Sequence, residues 1–266
     1  MRDEVLASPL SPNLQPSTLQ PYSLPMKIIC KTTLLAADPP FDGTEIGITI
    51  AHDGDSWGIA TCTESMDLDS FTVDWGDGTR ETFSKLTKAT HVYAAAGDYT
   101  VRIEDRVRYL GIGTDDTAEP WASVYPGMIR SLKSSATRLN KFTTYAFANA
   151  VNLTMLDLRD IPLVRLPTGA FKNCTSLTSL TGLPRLLGTI NEQVFAGCAG
   201  LSGRIDLPSV TTLQGTSDTS PFKGTSIAEF HFSAANEAAI RASALYKATP
   251  TLGVEGAKLF FDIAGS

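Results

Sequence analysis

AFKNCTSL, residues 170–177, decides how this chain is read, because the pattern recurs. AFANAVNL (146–153), VFAGCAGL (194–201) and PFKGTSI (221–227) align with it, and Phe147, Phe171, Phe195 and Phe222 succeed one another at spacings of 24, 24 and 27 residues. A period of that size marks a stacked repeat. A single repeat of this kind cannot bury its apolar side alone, so the sequence predicts one continuous core built by stacking.

A short strand is expected after each motif. Its period-two alternation turns Leu156, Leu158, Leu180, Ile205, Leu207, Phe230 and Phe232 inward. Asp157, Thr181, Asp206 and His231 then form one outward column, and Met155, Ser179, Arg204 and Glu229 a second. Neighbouring strands in such a stack lie ~4.8 Å apart, so the columns would merge into one polar surface. The candidate binding surface is therefore Asp157, Arg159, Thr181, Arg204, Asp206, Glu229 and His231. The same residues also fit a solvated face with an Arg204 to Glu229 ion pair worth under about 1 kcal/mol.

Past Phe232 the period stops. Ser233 can N-cap a helix with Ala235, Ala238, Ala239, Ala242 and Leu245 on its apolar side, and AKLFFDI (257–263) reads as a last strand. Residues 233–266 thus form a helix-strand C-terminal cap. The order aromatic, three residues, Cys or a small residue, then Leu or Ile resembles the bacterial leucine-rich repeats of the BspA type over residues 128–232. That resemblance implies a short solenoid and leaves its ligand open. Cys174 and Cys198 share one repeat position and read as small buried residues, although stacking would bring them close enough to leave oxidation open.

Residues 27–110 carry a different signal. The runs KIICKTT, EIGITIAH, GIATCT, SFTVDW, TRETF and YTVRI alternate with turn clusters, as in an all-β sandwich. Phe71, Val73 and Trp75 share one face, and Asp77-Gly78 supplies the residues a tight hairpin needs at φ > 0. The set Trp75 to Thr79 (WGDGT), His91 with Tyr93, and Gly97 with Tyr99 to Val101 resembles the polycystic-kidney-disease-type (PKD) domain, an Ig-like β-sandwich. The resemblance implies a spacer or presentation module and no chemistry.

Three competing readings of this half are weaker. Asp74 and Asp77 could join Asp67 or Asp69 around calcium, but no loop has the EF-hand pattern. His91 lies just before an aromatic and reads as a packing and hydrogen-bonding residue. Residues 54–58, GDSWG, fit G-x-S-x-G, yet a nucleophile elbow must open a helix, and IATCTE (59–64) reads as a strand. Ser56 is therefore expected in a turn.

Residues 1–26 hold five prolines and read as an extended arm, and residues 111–127 read as a junction in which Trp121 and Tyr125 pack. The 266 residues are 42% apolar, enough for a core in each half. A net charge of −6 without a Lys/Arg block argues against nucleic acid, and no apolar run is long enough for membrane insertion. No signal peptide is visible. Cysteine spacing gives no metal site, no glycine loop suggests a cofactor, and no cluster combines nucleophile and base, so an enzyme is not expected.

The fold expected is mainly β: an Ig-like/PKD-like β-sandwich, then a short leucine-rich-repeat solenoid with its cap. The function expected is non-enzymatic binding at a surface, either as a bacteriophage virion component or as a bacterial adhesin. The partner would be a protein or glycan on a cell, or a neighbouring virion subunit in a purely structural role, and a homo-oligomer is open to it.

Overall fold

The computed structural model describes residues 43–60, 70–84, 88–105, 107–110 and 126–264, all within the compact unit Pro39–Ser266. The proline-rich arm, the KIICKTT run, Cys30, Cys62, Asp67, Asp69, Trp121 and Tyr125 lie outside the described residues. Among the described residues the protein is mainly β, with two short helices and no closed barrel.

The front half contributes β1 (Gly43–Ile50), β2 (Ser56–Ala60), β3 (Ser70–Asp74), β4 (Arg80–Ser84), β5 (Lys88–Val92), β6 (Gly97–Glu104) and β7 (Tyr109–Leu110). Alternation sets their burial. Ile46, Ile48 and Ile50 of β1, Phe71 and Val73 of β3, and Val101 and Ile103 of β6 are sealed from solvent. β1, β6, β3 and β4 pair antiparallel in that order, while β2 and β5 form a separate antiparallel pair. Ser56 opens β2 opposite Val92 and is a strand residue, not the turn residue expected, because Asp55 closes the preceding loop by accepting from the His52 amide.

The WGDG turn between β3 and β4 is built on two glycines. Gly76 and Gly78 take the positive φ values, 82° and 95°, in place of the expected Asp77-Gly78 pair. Asp77 instead accepts hydrogen bonds from the Thr79 amide (3.0 Å) and hydroxyl (2.6 Å). His91 Nε2 lies 2.8 Å from the same carboxylate, and its ring stacks on Trp75 at 5.2 Å. Trp75 donates to Glu81 at 2.6 Å, and the Tyr93 hydroxyl donates to the Trp75 carbonyl at 3.0 Å. Burial pushes the Asp77 carboxyl up, but the Thr79 and His91 contacts outweigh it and leave the group below its ordinary value. The aromatic cluster thus ties the β3–β4 turn to β5, which belongs to the separate β2–β5 pair.

The second half contributes β8 (Ile129–Ser134), β9 (Lys141–Phe142), β10 (Met155–Asp157), β11 (Arg165–Leu166), β12 (Thr189–Ile190), β13 (Ser202–Leu207), β14 (Thr212–Leu213), β15 (Ser226–Ser233), α1 (Glu237–Ala242), α2 (Ala244–Ala248) and β16 (Lys258–Ile263). Strand β8 joins the halves. It pairs antiparallel with β1 on one edge and parallel with β10 on the other, giving one six-stranded sheet ordered β10-β8-β1-β6-β3-β4. Two further parallel sheets complete the half, β11-β12-β14 and β13-β15-β16.

The repeat phenylalanines are fully buried and stacked. Ring centroids lie 5.4 Å apart from Phe147 to Phe171, 5.7 Å from Phe171 to Phe195 and 6.0 Å from Phe195 to Phe222, each pair within 14° of parallel. Two residues after each ring comes a left-handed residue: Asn149, Asn173, Gly197 and Gly224, with φ between 61° and 76°. That turn aims backbone N–H groups at the next repeat, as in Asn149 to Lys172 O (2.8 Å), Asn173 to Ala196 O (2.7 Å) and Gly197 to Lys223 O (2.7 Å). Asn and Gly tolerate this conformation where other side chains are strained.

Both repeat cysteines are free and buried. The Cys174 thiol donates to Phe147 O at 3.3 Å and the Cys198 thiol to Phe171 O at 3.0 Å. The neighbouring Cys198 thiol, then burial, push the Cys174 thiol far above its ordinary value, so it serves as a small neutral donor inside the stack.

At the C-terminal end, Ser233 caps a 3-10 turn, Ala234–Asn236, rather than a long helix. Helix α1 stops at Ser243, which in turn caps α2. The buried residues are Ile240 and Leu245, while Ala235, Ala238, Ala239 and Ala242 remain outside the core, contrary to the alanine face expected. A branched aliphatic side chain removes several times the apolar area of an alanine methyl from water, so Ile240 sets the orientation.

Candidate binding surface

The inward residues of the repeat strands are where alternation puts them: Leu156, Leu158, Leu180, Ile205, Leu207, Phe230 and Phe232 are all at most 6% exposed. The outward column is less regular. Asp157 sits on β10 beside Lys133 of β8, and Asp206 on β13 beside His231 of β15. Between them the segment around Thr181 forms no strand. Gly182 packs against the Leu156 carbonyl, and its own carbonyl accepts from the Leu158 amide at 2.5 Å, so the chain turns inward where a strand was expected.

Asp157 and Arg204 each pair with a residue two positions along the chain rather than across strands. Asp157 accepts from Arg159 at 2.8 and 3.1 Å, and Arg204 reaches Asp206 at 2.7 Å. The cross-strand pair expected between Arg204 and Glu229 is replaced by that Asp206 contact, although the two residues are in register. Neighbours two apart on one strand face share a side, and Asp206 is the nearer acceptor. Hydrogen bonding by Arg159 holds the Asp157 carboxyl below its ordinary value, despite partial burial. Pairs this exposed are screened by solvent and contribute little to stability.

His231 is not part of an open surface. It is 4% exposed, with Nδ1 2.7 Å from Asp262, Nε2 3.3 Å from Glu229, and its ring stacked on Phe260 at 4.6 Å. Strand β16 covers it, which corrects the outward assignment: an outward residue is buried when the neighbouring strand carries a large aromatic in register.

Three of the candidate residues do converge. Arg159, Thr181 and Asp206 line a cavity of about 350 Å³, together with Arg185 and Ser209. Its floor is aliphatic: Leu180, Leu187, Leu207 and Val210 are each nearly sealed from solvent. Arg185 and Ser209 are the residues missed from the sequence. They occupy a corner that recurs once per repeat, where the Arg185 amide donates to Arg159 O at 3.2 Å and the Ser209 hydroxyl to Arg185 O at 2.6 Å. The signal for that corner is the dipeptide that directly precedes each of them, Leu183-Pro184 and Leu207-Pro208. Arg185 is held by Asp160 at 3.3 Å. The site can accept an apolar group on its floor and polar atoms at its rim.

No curated protein and no solved structure matches the chain. Residues 128–217 match the family model of the BspA type leucine rich repeat region, in six copies, and that stretch is a leucine-rich-repeat region of this type.

Proposed function

We propose that the chain is a non-enzymatic binding protein of a virion or bacterial surface, in which a PKD-like sandwich presents a leucine-rich-repeat solenoid to a protein partner. The BspA-type repeats support a surface, protein-binding role. The observation that carries the reading further is the cavity at Arg159, Thr181 and Asp206. Its floor is leucine and valine, and among the described residues no aromatic ring lines it to stack on a sugar, which favours a protein side chain over a glycan. The sandwich reading rests on the sheet of β1, β3, β4 and β6, on the β2–β5 pair with its buried Trp57 and Ile59, and on the WGDGT, His91 and Tyr93 cluster at one turn. The solenoid reading rests on the phenylalanine stack and the parallel strand pairs.

A bacteriophage tail or head decoration and a bacterial adhesin are two settings for the same surface; a structural contact with a neighbouring subunit is the third. The test uses labelled protein on a panel of intact bacterial cells, treated or not with protease or periodate. Binding lost after protease and in Thr181→Trp, which fills the cavity from an exposed position, supports the reading. Binding lost only after periodate, or untouched by Thr181→Trp, overturns it.

A further inference from the structure

Strand β16, Lys258–Ile263, ends the sheet β13-β15-β16, and its far edge pairs with no strand among the described residues. An open edge of this length presents a row of unpaired backbone donors and acceptors, a template for another strand. Its side chains are also incompletely covered. Leu259 and Phe261 lie beside Phe230 and Phe232 on the core side, yet they are only half-buried where their neighbours are sealed. Phe260 on the outer side is half-buried too.

The charges on the strand identify what fits there. Lys258 and Asp262 flank Phe260 symmetrically, both are exposed, and Lys258 has no ion pair among the described residues. We propose that β16 pairs antiparallel with β16 of a second copy of this chain, with Phe260 on the two-fold axis. In that register Lys258 faces Asp262 of the second copy, and Asp262 faces its Lys258. Leu259 meets Phe261 of the second copy, twice by symmetry, and Phe260 meets itself. The strand is therefore self-complementary in charge and in apolar contact, which is what an isologous interface requires. Directly opposed residues in an antiparallel pair lie ~4.5–5.5 Å apart, so each of these contacts is made through the pairing itself. Two three-stranded sheets become one of six strands, and the edge disappears. This goes beyond the cell-binding reading and does not depend on it: the cavity lies on the β10 and β13 side, and β16 does not line it.

The experiment is sedimentation velocity of the full chain over a wide concentration range, with the single variants Lys258→Asp and Asp262→Lys. Wild type should form a concentration-dependent dimer. Each variant places like charges opposite each other twice, and should weaken dimerisation by at least about tenfold. Mixing the two variants restores opposite charges in both pairs and should restore a dimer. Far-UV circular dichroism checks folding, which matters for Asp262→Lys because it removes the His231 partner. Hydrogen exchange at β16 gives an independent reading in wild type: its amides should gain protection as concentration rises. A wild-type monomer throughout would overturn the proposal, leaving the edge to a different partner or to none. So would dimerisation indifferent to Lys258→Asp, or a folded mixture that stays monomeric.

Discussion

The sheet in front and the repeats behind it solve the same problem in opposite ways. In the front half a set of unlike contacts, those of Trp75, His91, Tyr93, Asp77 and Thr79, locks a single turn. In the repeats one contact is made again and again, ring on ring from Phe147 to Phe222 and amide to carbonyl at the left-handed turns. The difference teaches where each half is vulnerable. A unique contact has no substitute, whereas a repeated one tolerates variation at positions where several residue types already do the same work. The repeats still have a weak point, because each ring in the stack supports two neighbours.

The largest effect should therefore come from the middle of that stack. Phe171 is fully buried between Phe147 and Phe195, with the Cys198 thiol on its carbonyl. Phe171→Ala should cost about 3–5 kcal/mol, read as a shift in the urea midpoint at unchanged slope. A cost within about 0.5 kcal/mol, the usual surface value, would break the comparison, since the stack would then carry no shared load.

A smaller but sharp effect belongs to the front turn. Gly76 has φ 82°, and a Cβ there would lie 2.6 Å from the Thr100 carbonyl oxygen, which is backbone and cannot swing aside. Strain and clash act together, so Gly76→Ala should destabilise by about 2–3 kcal/mol. Thermal melting of the purified variant checks this. A melting temperature equal to wild type would show that the turn adjusts and is not a single fixed device.

Legibility in the sequence divides along the same line. The repeat phenylalanines and the inward leucines come from local spacing, and the structure has them where the period puts them. Strand β5 is absent from the runs that read as strands, because KATHV shows alternation only once its partner β2 is known. The union of the halves through β8 is equally hidden: IRSLKS pairs with residues 44–48 on one side and 155–157 on the other, and spacing within the strand does not name its partners. For the candidate site, Asp206 is legible because alternation exposes it on β13, whereas Arg159 and Thr181 are exposed in turns. His231 misleads because its burial depends on Phe260, 29 residues later, and the missing strand at Thr181 because Gly182 and Pro184 divert the chain.

The smallest predicted effect tests the repeated contact from the opposite side. Gly197 has φ 76° in the turn after Phe195, and the equivalent residues Asn149 and Asn173 hold φ 64° and 61° with side chains in place. A Cβ at 197 would come 2.3 Å from Asn173 Oδ1, which is the end of a side chain rather than backbone. Asn173 already donates to Asn149 at 3.0 Å, so an asparagine at 197 can extend the same column by one step. Gly197→Asn should therefore change stability by no more than about 1 kcal/mol, since asparagine is among the few residues at ease in this conformation. The contrast with Gly76→Ala is the measurement that matters: two glycines at similar positive φ, one in a unique turn and one in a repeated turn. Equal losses at both would mean that repetition confers no tolerance, and that the two halves obey one rule.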